Sequence, residues 1–309
     1  MADHLSVTTS GAGATAFANG TRAPGPVLAP GAAAPGMAEV TLIRPARAGR
    51  RRFTIARVPR PARRATGPLA AIALWQLACS RGLFTSFEMA SPVAVLDAAR
   101  ELAAQGVLQS NLLISLQRVA IGLLLGVGTG VFLAVLCGLS WVGEDLIDPV
   151  IQAFRAVPIL GLVPLVIIWF GVGETPKVFL IALGCLFPVY LNTYAAIRNV
   201  DNKLVEAGRT FGLGRLGLVS RVILPGALPG FLVGLRFALV GSWIIDVVAE
   251  EINAQSGLGY LINQAQSTNR IDIMFCCLTI YAILGLVADA IVRLLERRLL
   301  VWRAAFAGG

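Results

Sequence analysis

Residues 206–225 read EAGRTFGLGRLGLVSRVILP and separate two long apolar runs. Glu206, Arg209, Arg215 and Arg221 interrupt the apolar sequence, and glycines recur at Gly208, Gly212, Gly214 and Gly217. Just upstream, Asp201 is placed to cap a short helix over NKLVEAGRT, because its carboxylate can accept from the free N–H groups of a first turn. Leu204, Val205 and Gly208 fall on one side of that helix, while Lys203, Glu206 and Arg209 carry charge. Gly212 permits the left-handed or tight turn that ends the helix. Leu224 and Pro225 open the next apolar run, and a proline in a first turn loses no needed N–H. The stretch predicts a short helix, a sharp turn and a second helical approach, presented as a compact knob.

What flanks the knob follows from composition. The chain has 309 residues, 56% hydrophobic and 14% charged. Soluble domains carry about 25% charged residues, so this is read as a polytopic membrane protein. Six apolar segments are expected, near 66–84, 112–139, 153–172, 177–197, 222–249 and 273–295. A span takes roughly 20 residues. Lipid forces backbone groups to bond within the segment, and no ten-residue alternation suggests a barrel, so the fold class is all-α. With both termini cytoplasmic, the inner regions hold nineteen Lys/Arg and the outer regions four. That bias sets the orientation and puts 198–221 in the cytoplasm. Net charge +9 does not call for nucleic acid, since ten of the 26 basic residues lie in the first 64 positions and most others flank apolar runs.

Residues 1–65 are rich in Ala, Gly, Pro and Arg and lack periodicity, so they read as a disordered basic cytoplasmic tail before a membrane domain over 66–303. Arg50, Arg51 and Arg52 faintly suggest a twin-arginine signal, but the following TIARVPRPARR has no apolar core.

Inside the apolar runs a few residues stand out. Gly122, Gly126, Gly130, Ala134 and Gly138 recur every fourth position, a stripe that lets another helix come close. Arg118 and Arg155 are near segment starts and are read as reaching back to the interface. Arg236 and Asp246 are deeper, ten residues and about 15 Å apart along one helix, too far to pair with each other. Both are candidates for lining a polar path, or for structural pairing elsewhere. The five cysteines show no CxxC spacing and read as small packing residues; the only histidine is His4. No metal site is expected.

The chain has no fuel chemistry. Its two lysines, Lys177 and Lys203, do not follow a glycine, so there is no phosphate-binding P-loop. No zinc motif, nucleophile elbow or cluster of acids and bases points to an enzyme.

The spacing Glu206-Ala207-Gly208, three residues, Gly212, nine residues, then Val222-Ile223-Leu224-Pro225 resembles the signature of permease subunits of binding-protein-dependent ABC importers. The family pattern has alanine where Gly208 stands and isoleucine where Val222 stands. The resemblance extends over most of 68–303, and segments such as AEEINAQSGLGYLINQAQ look like the subgroup carrying aliphatic sulfonates, taurine or nitrate, aliphatic sulfonates most of all. It implies a type I importer core with two permease copies, each docking an ATPase subunit, and a solute-binding protein outside. It implies no cofactor. The knob from Glu206 to Gly212 would sit in a groove on the ATPase, with Glu206 making a charged contact or holding the knob's shape. An ion-coupled transporter of a small anion is the alternative, weakened by the scarcity of mid-membrane acids.

Overall fold

The structure is a computed structural model and describes residues 60–300 and 302, apart from position 86. The tail expected over 1–65 lies outside the described residues up to 59, and the first helix, α1 (Arg60–Ser80), begins inside its range. The chain then continues through α2 (Pro92–Ala104), α3 (Val107–Leu139), α4 (Trp141–Leu146) and α5 (Asp148–Arg155). A 3₁₀ turn at Ile159–Leu162 leads to α6 (Val163–Phe170) and α7 (Glu174–Arg198). The knob region forms α8 (Asn202–Thr210) and α9 (Arg215–Leu218), and a π turn at Val219–Ile223 runs into α10 (Leu224–Asn253). Finally come α11 (Leu258–Ser267) and α12 (Ile271–Leu299). Among the described residues there is no strand.

Four helical stretches are long and apolar enough to cross a membrane: α3, α7, Arg215–Ile252 and α12. A fifth span is reached only if Trp141–Arg155 and Ile159–Phe170 count together, and these are bent by 84°. Two of the six expected segments therefore change character. The segment at 153–172 is not one straight helix. Pro158 disfavours helical backbone at Val157 and brings no N–H, and Pro164 restarts the chain in the first turn of α6. The segment at 66–84 ends at Ser80, and α1 spends its first turns on Arg60, Arg63 and Arg64. Its uncharged part falls short of the roughly 20 residues a span takes. The regions 81–111 and 250–272, which the charge count assigns to the outer face with no further structure, contain α2 and α11.

At the centre of the bundle α7 is clasped from two sides. The stripe on α3 faces it: a Cβ on Gly122 would lie 2.6 Å from Ile181 Cγ2, on Gly126 2.7 Å from Cys185 Cβ, and on Gly130 2.8 Å from the Leu186 carbonyl. Ala134 is fully buried in the same row, and Gly138 meets Ile197. From the other side α10 presents Gly230 against the Asn192 carbonyl and Gly234 against the Pro188 carbonyl, at 2.8 and 2.7 Å from a notional Cβ. Apolar solvent gives helices no hydrophobic reason to associate, so dispersion across such close seams supplies the attraction. Cys137 on α3, Cys185 on α7, and Cys276 and Cys277 on α12 are buried and free, acting as small packing residues.

The seam makes a prediction. Gly126→Leu is expected to destabilise the chain by about 1–3 kcal/mol or more, seen as a lower melting temperature in detergent. Gly128→Leu, whose Cβ points into open space, is expected to melt like the wild type.

Candidate functional site

Two features stand at opposite ends of α7 and α10. The first is the knob. Asp201 caps α8, its carboxylate accepting from Lys203 N at 2.9 Å. At the other end of α8, Gly212 has φ +80. Its N–H donates to Arg209 O at 2.9 Å, and Leu213 N–H donates to Gly208 O at 3.0 Å. These two bonds are the Schellman closure, which satisfies the last carbonyls of a helix and needs a residue that tolerates left-handed backbone. Gly208 is buried, and a Cβ on it would come within 2.8 Å of Leu218 Cδ2. Leu218 would have to turn aside for the alanine of the family pattern, so the glycine lets α9 fold closely onto α8.

The outer surface of the knob is open. Glu206 and Ala207 are exposed, and Phe211 and Leu216 show 87% and 86% of their surface. Neither apolar side chain is marked by the local charge pattern of Lys203, Glu206 and Arg209. Leu224 is partly exposed, and Pro225 sits in the first turn of α10. The π turn before it is the local departure from expectation: Leu224 N–H reaches back to Val219 O, one residue further than in an α-helix. It falls next to Pro225, which has no N–H of its own to give to the ladder.

The second feature is a buried charged cluster where α3, α7, α10 and α11 meet. Arg118, expected to reach for the interface, is 3% exposed and held inside the bundle. Its Nη1 donates to Glu250 Oε1 at 2.5 Å and to Ser256 O at 2.7 Å. Nη2 donates to Glu174 Oε1 at 2.7 Å, and Nε donates to Glu174 Oε2. Glu250, which the charge count places in the outer region beginning at 250, is fully buried on α10. Its carboxylate also accepts from Ser115 Oγ at 2.8 Å and from Gly259 N at 2.8 Å. Asn111 Oδ1 accepts from Gly257 N, and Ser115 Oγ accepts from Leu258 N.

This bonding explains the sequence SGLG at 256–259. The free N–H groups that begin α11 point at a carboxylate and two polar oxygens, the partners a helix start prefers. Gly257, at φ +114, has no room for a Cβ because the Glu250 carboxylate occupies that place. A Cβ on Gly259 would lie 2.7 Å from Glu250 Cβ. Arg118 and Glu250 together lock the return of the chain after α10 onto α3.

The two residues offered for a polar path are not brought together. Arg236 Nη2 donates to Glu296 at 2.8 Å and Nε lies 3.3 Å from Asp289 Oδ1, so it ties α10 to α12. Asp289 also binds Arg293, one turn along α12. Asp246 is fully buried, one turn before Glu250, and neither of its oxygens has a hydrogen-bond partner among the described residues. Among the described residues, no group of three or more His, Cys, Asp or Glu side chains is arranged to hold a metal.

Removing one member of a buried ion pair costs about 3–5 kcal/mol. Arg118→Gln is therefore expected to lower the melting temperature strongly. Arg118→Gln with Glu250→Gln is expected to recover at least half of that loss, read from a double-mutant cycle of thermal unfolding.

The chain is 46% identical over 239 residues to the putative aliphatic sulfonates transport permease protein SsuC of Escherichia coli (strain K12), covering 77% of this chain and 91% of that protein. It is 42% identical over 241 residues to the protein of the same name from Bacillus subtilis (strain 168), covering 78% and 87%. The taurine transport system permease protein TauC of Escherichia coli (strain K12) is 33% identical over 236 residues, covering 75% and 86%. In fold the chain resembles the crystal structure of an amino acid ABC transporter with histidines, at TM-score 0.55 and 22% identity, over 65% of this chain and 97% of that one. Residues 126–301 match the family described as the binding-protein-dependent transport system inner membrane component. The chain belongs to that family, as a permease subunit of an ABC transporter.

Proposed function

We propose that this chain is the pore-forming subunit of an ATP-driven importer of small anions, aliphatic sulfonates before all others. It works in the cytoplasmic (inner) membrane as a homodimer, with two copies of an ABC ATPase on the inner side and a solute-binding protein outside. The names of the relatives support the substrate class, since two of them are called aliphatic sulfonates permeases. The coupling role rests on one observation: a knob closed by a Schellman turn at Gly212 that carries exposed Phe211 and Leu216 at its tip. Apolar side chains outside the bundle, on a rigid turn, fit a protein groove better than water.

The sequence contains no P-loop of its own, so the energy enters from a partner. ATP shifts this subunit only by binding one of its two packings better than the other, through the ATPase that grips the knob. Glu206, exposed and free of any side-chain partner among the described residues, is available for a charged contact to that groove. Ala207 and Gly208 keep the knob slim, and Gly212 sets the angle of its exit.

Gly212→Val tests this reading. Nothing lies within 4 Å of a Cβ at Gly212, so the cost is backbone strain alone, about 1–2 kcal/mol. The variant is expected to accumulate in the membrane as the wild type does, while ATP-driven uptake of ethanesulfonate by the reconstituted complex falls at least about tenfold. Wild-type uptake by this variant would refute the coupling role.

A further inference from the structure

Glu174 differs from Glu250, the other carboxylate bonded to Arg118. Its side chain is 61% exposed, while the two cations it holds, Arg118 and Lys177, are 3% and 4% exposed. Lys177 Nζ donates to Glu174 Oε1 at 3.1 Å, and no other partner for this ammonium occurs among the described residues. Arg118 has a second, fully buried counter-ion in Glu250. A cavity of about 340 Å³ opens beside Arg118 and Glu174, lined also by Gln117 and Ser256, and Lys177 meets it through Glu174. Glu174 and Val178 also line a neighbouring apolar groove of about 540 Å³ along α3 and α7, bordered by Leu125 and Leu186.

Two cations withdrawn from water require an anion within reach. Here the shared anion is the one member of the group that solvent can touch. Glu174 is also the first residue of α7, follows Gly171 at φ +75 and Gly173, and caps nothing. Its carboxylate can swing away without breaking a helical hydrogen bond. Exchange for another monoanion leaves the local charge unchanged.

We propose that Arg118 and Lys177 form an anion-receiving site, that Glu174 is its displaceable placeholder, and that the ligand is a small monoanion with a short apolar tail. A sulfonate head matches: two oxygens accept from the planar guanidinium and a third from the ammonium. The alkyl part then lies in the apolar groove. The site stands at the end of α7 away from the knob. The inference rests on the importer reading above, and it names the residues that meet the substrate.

The test is binding of ethanesulfonate to the full-length chain, assembled with its ATPase in phosphatidylcholine nanodiscs. Glu174→Gln removes the internal competitor and is expected to bind ethanesulfonate at least about tenfold more tightly than the wild type. Adding Lys177→Gln is expected to cancel that gain. Glu174→Asp keeps the charge but withdraws it by one methylene. It is expected to gain about threefold, and it serves as the second variant should the glutamine form not be recovered. Equal affinity in the wild type and both Glu174 variants would overturn the site. So would an equal gain for ethylammonium, or a change seen only in phosphatidylglycerol nanodiscs, which would give the groove to a lipid headgroup. Uptake is measured in parallel. If the wild-type complex imports no sulfonate while Glu174→Gln still shows its tighter binding, the substrate reading fails and the anion site stands.

Discussion

The Glu250 carboxylate is the junction on which one end of this bundle depends. It receives the Arg118 guanidinium and the Ser115 hydroxyl from α3 and the Gly259 N–H from the start of α11, while itself standing on α10. A lone charge in that position would be costly, because apolar surroundings offer nothing to replace water. Surrounded by donors, it becomes a fastener whose parts are useless singly. Two glycines, Gly257 and Gly259, exist in their positions because the carboxylate and its helix fill the space that side chains would need.

The other end of the same helices is built on different physics. There the closure is local: an aspartate at the start of α8, a left-handed glycine at its end, and Leu218 folded over Gly208. α7 and α10 join the two ends. α7 has 25 residues, so it runs about 37 Å, somewhat more than a hydrocarbon core. α7 and α10 thus connect the knob to Glu174 and Glu250 at their far ends.

How much of this was legible in the sequence depended on range. The knob was readable almost residue by residue, because Asp201, Gly208 and Gly212 act within one or two turns of themselves. The stripe from Gly122 to Gly138 was readable as a seam by its period, but nothing in a period names the partner, and α7 emerged only in the structure. The pairing of Arg118 with Glu250 joins residues 132 positions apart, and no local pattern announces it. A weaker signal was present: Asp246 and Glu250 are four apart, hence on one helix face, and SGLG follows at the next turn of chain. The break after Arg155 was foreshadowed by Pro158 and Pro164, whose effect hydropathy averaging conceals. The exposed Phe211 and Leu216 were missed because apolar residues near a membrane protein's interior runs are naturally assigned to them.

The row of glycines on α3 also limits how the subunit can move. Backbone against backbone at intervals of four residues behaves like meshed teeth with a pitch of about 6 Å. A small slide would drive Ile181 or Cys185 out of its notch and into the shoulders between notches. α3 is thereby keyed to one side of α7, and α10 is keyed to the other by Gly230 and Gly234.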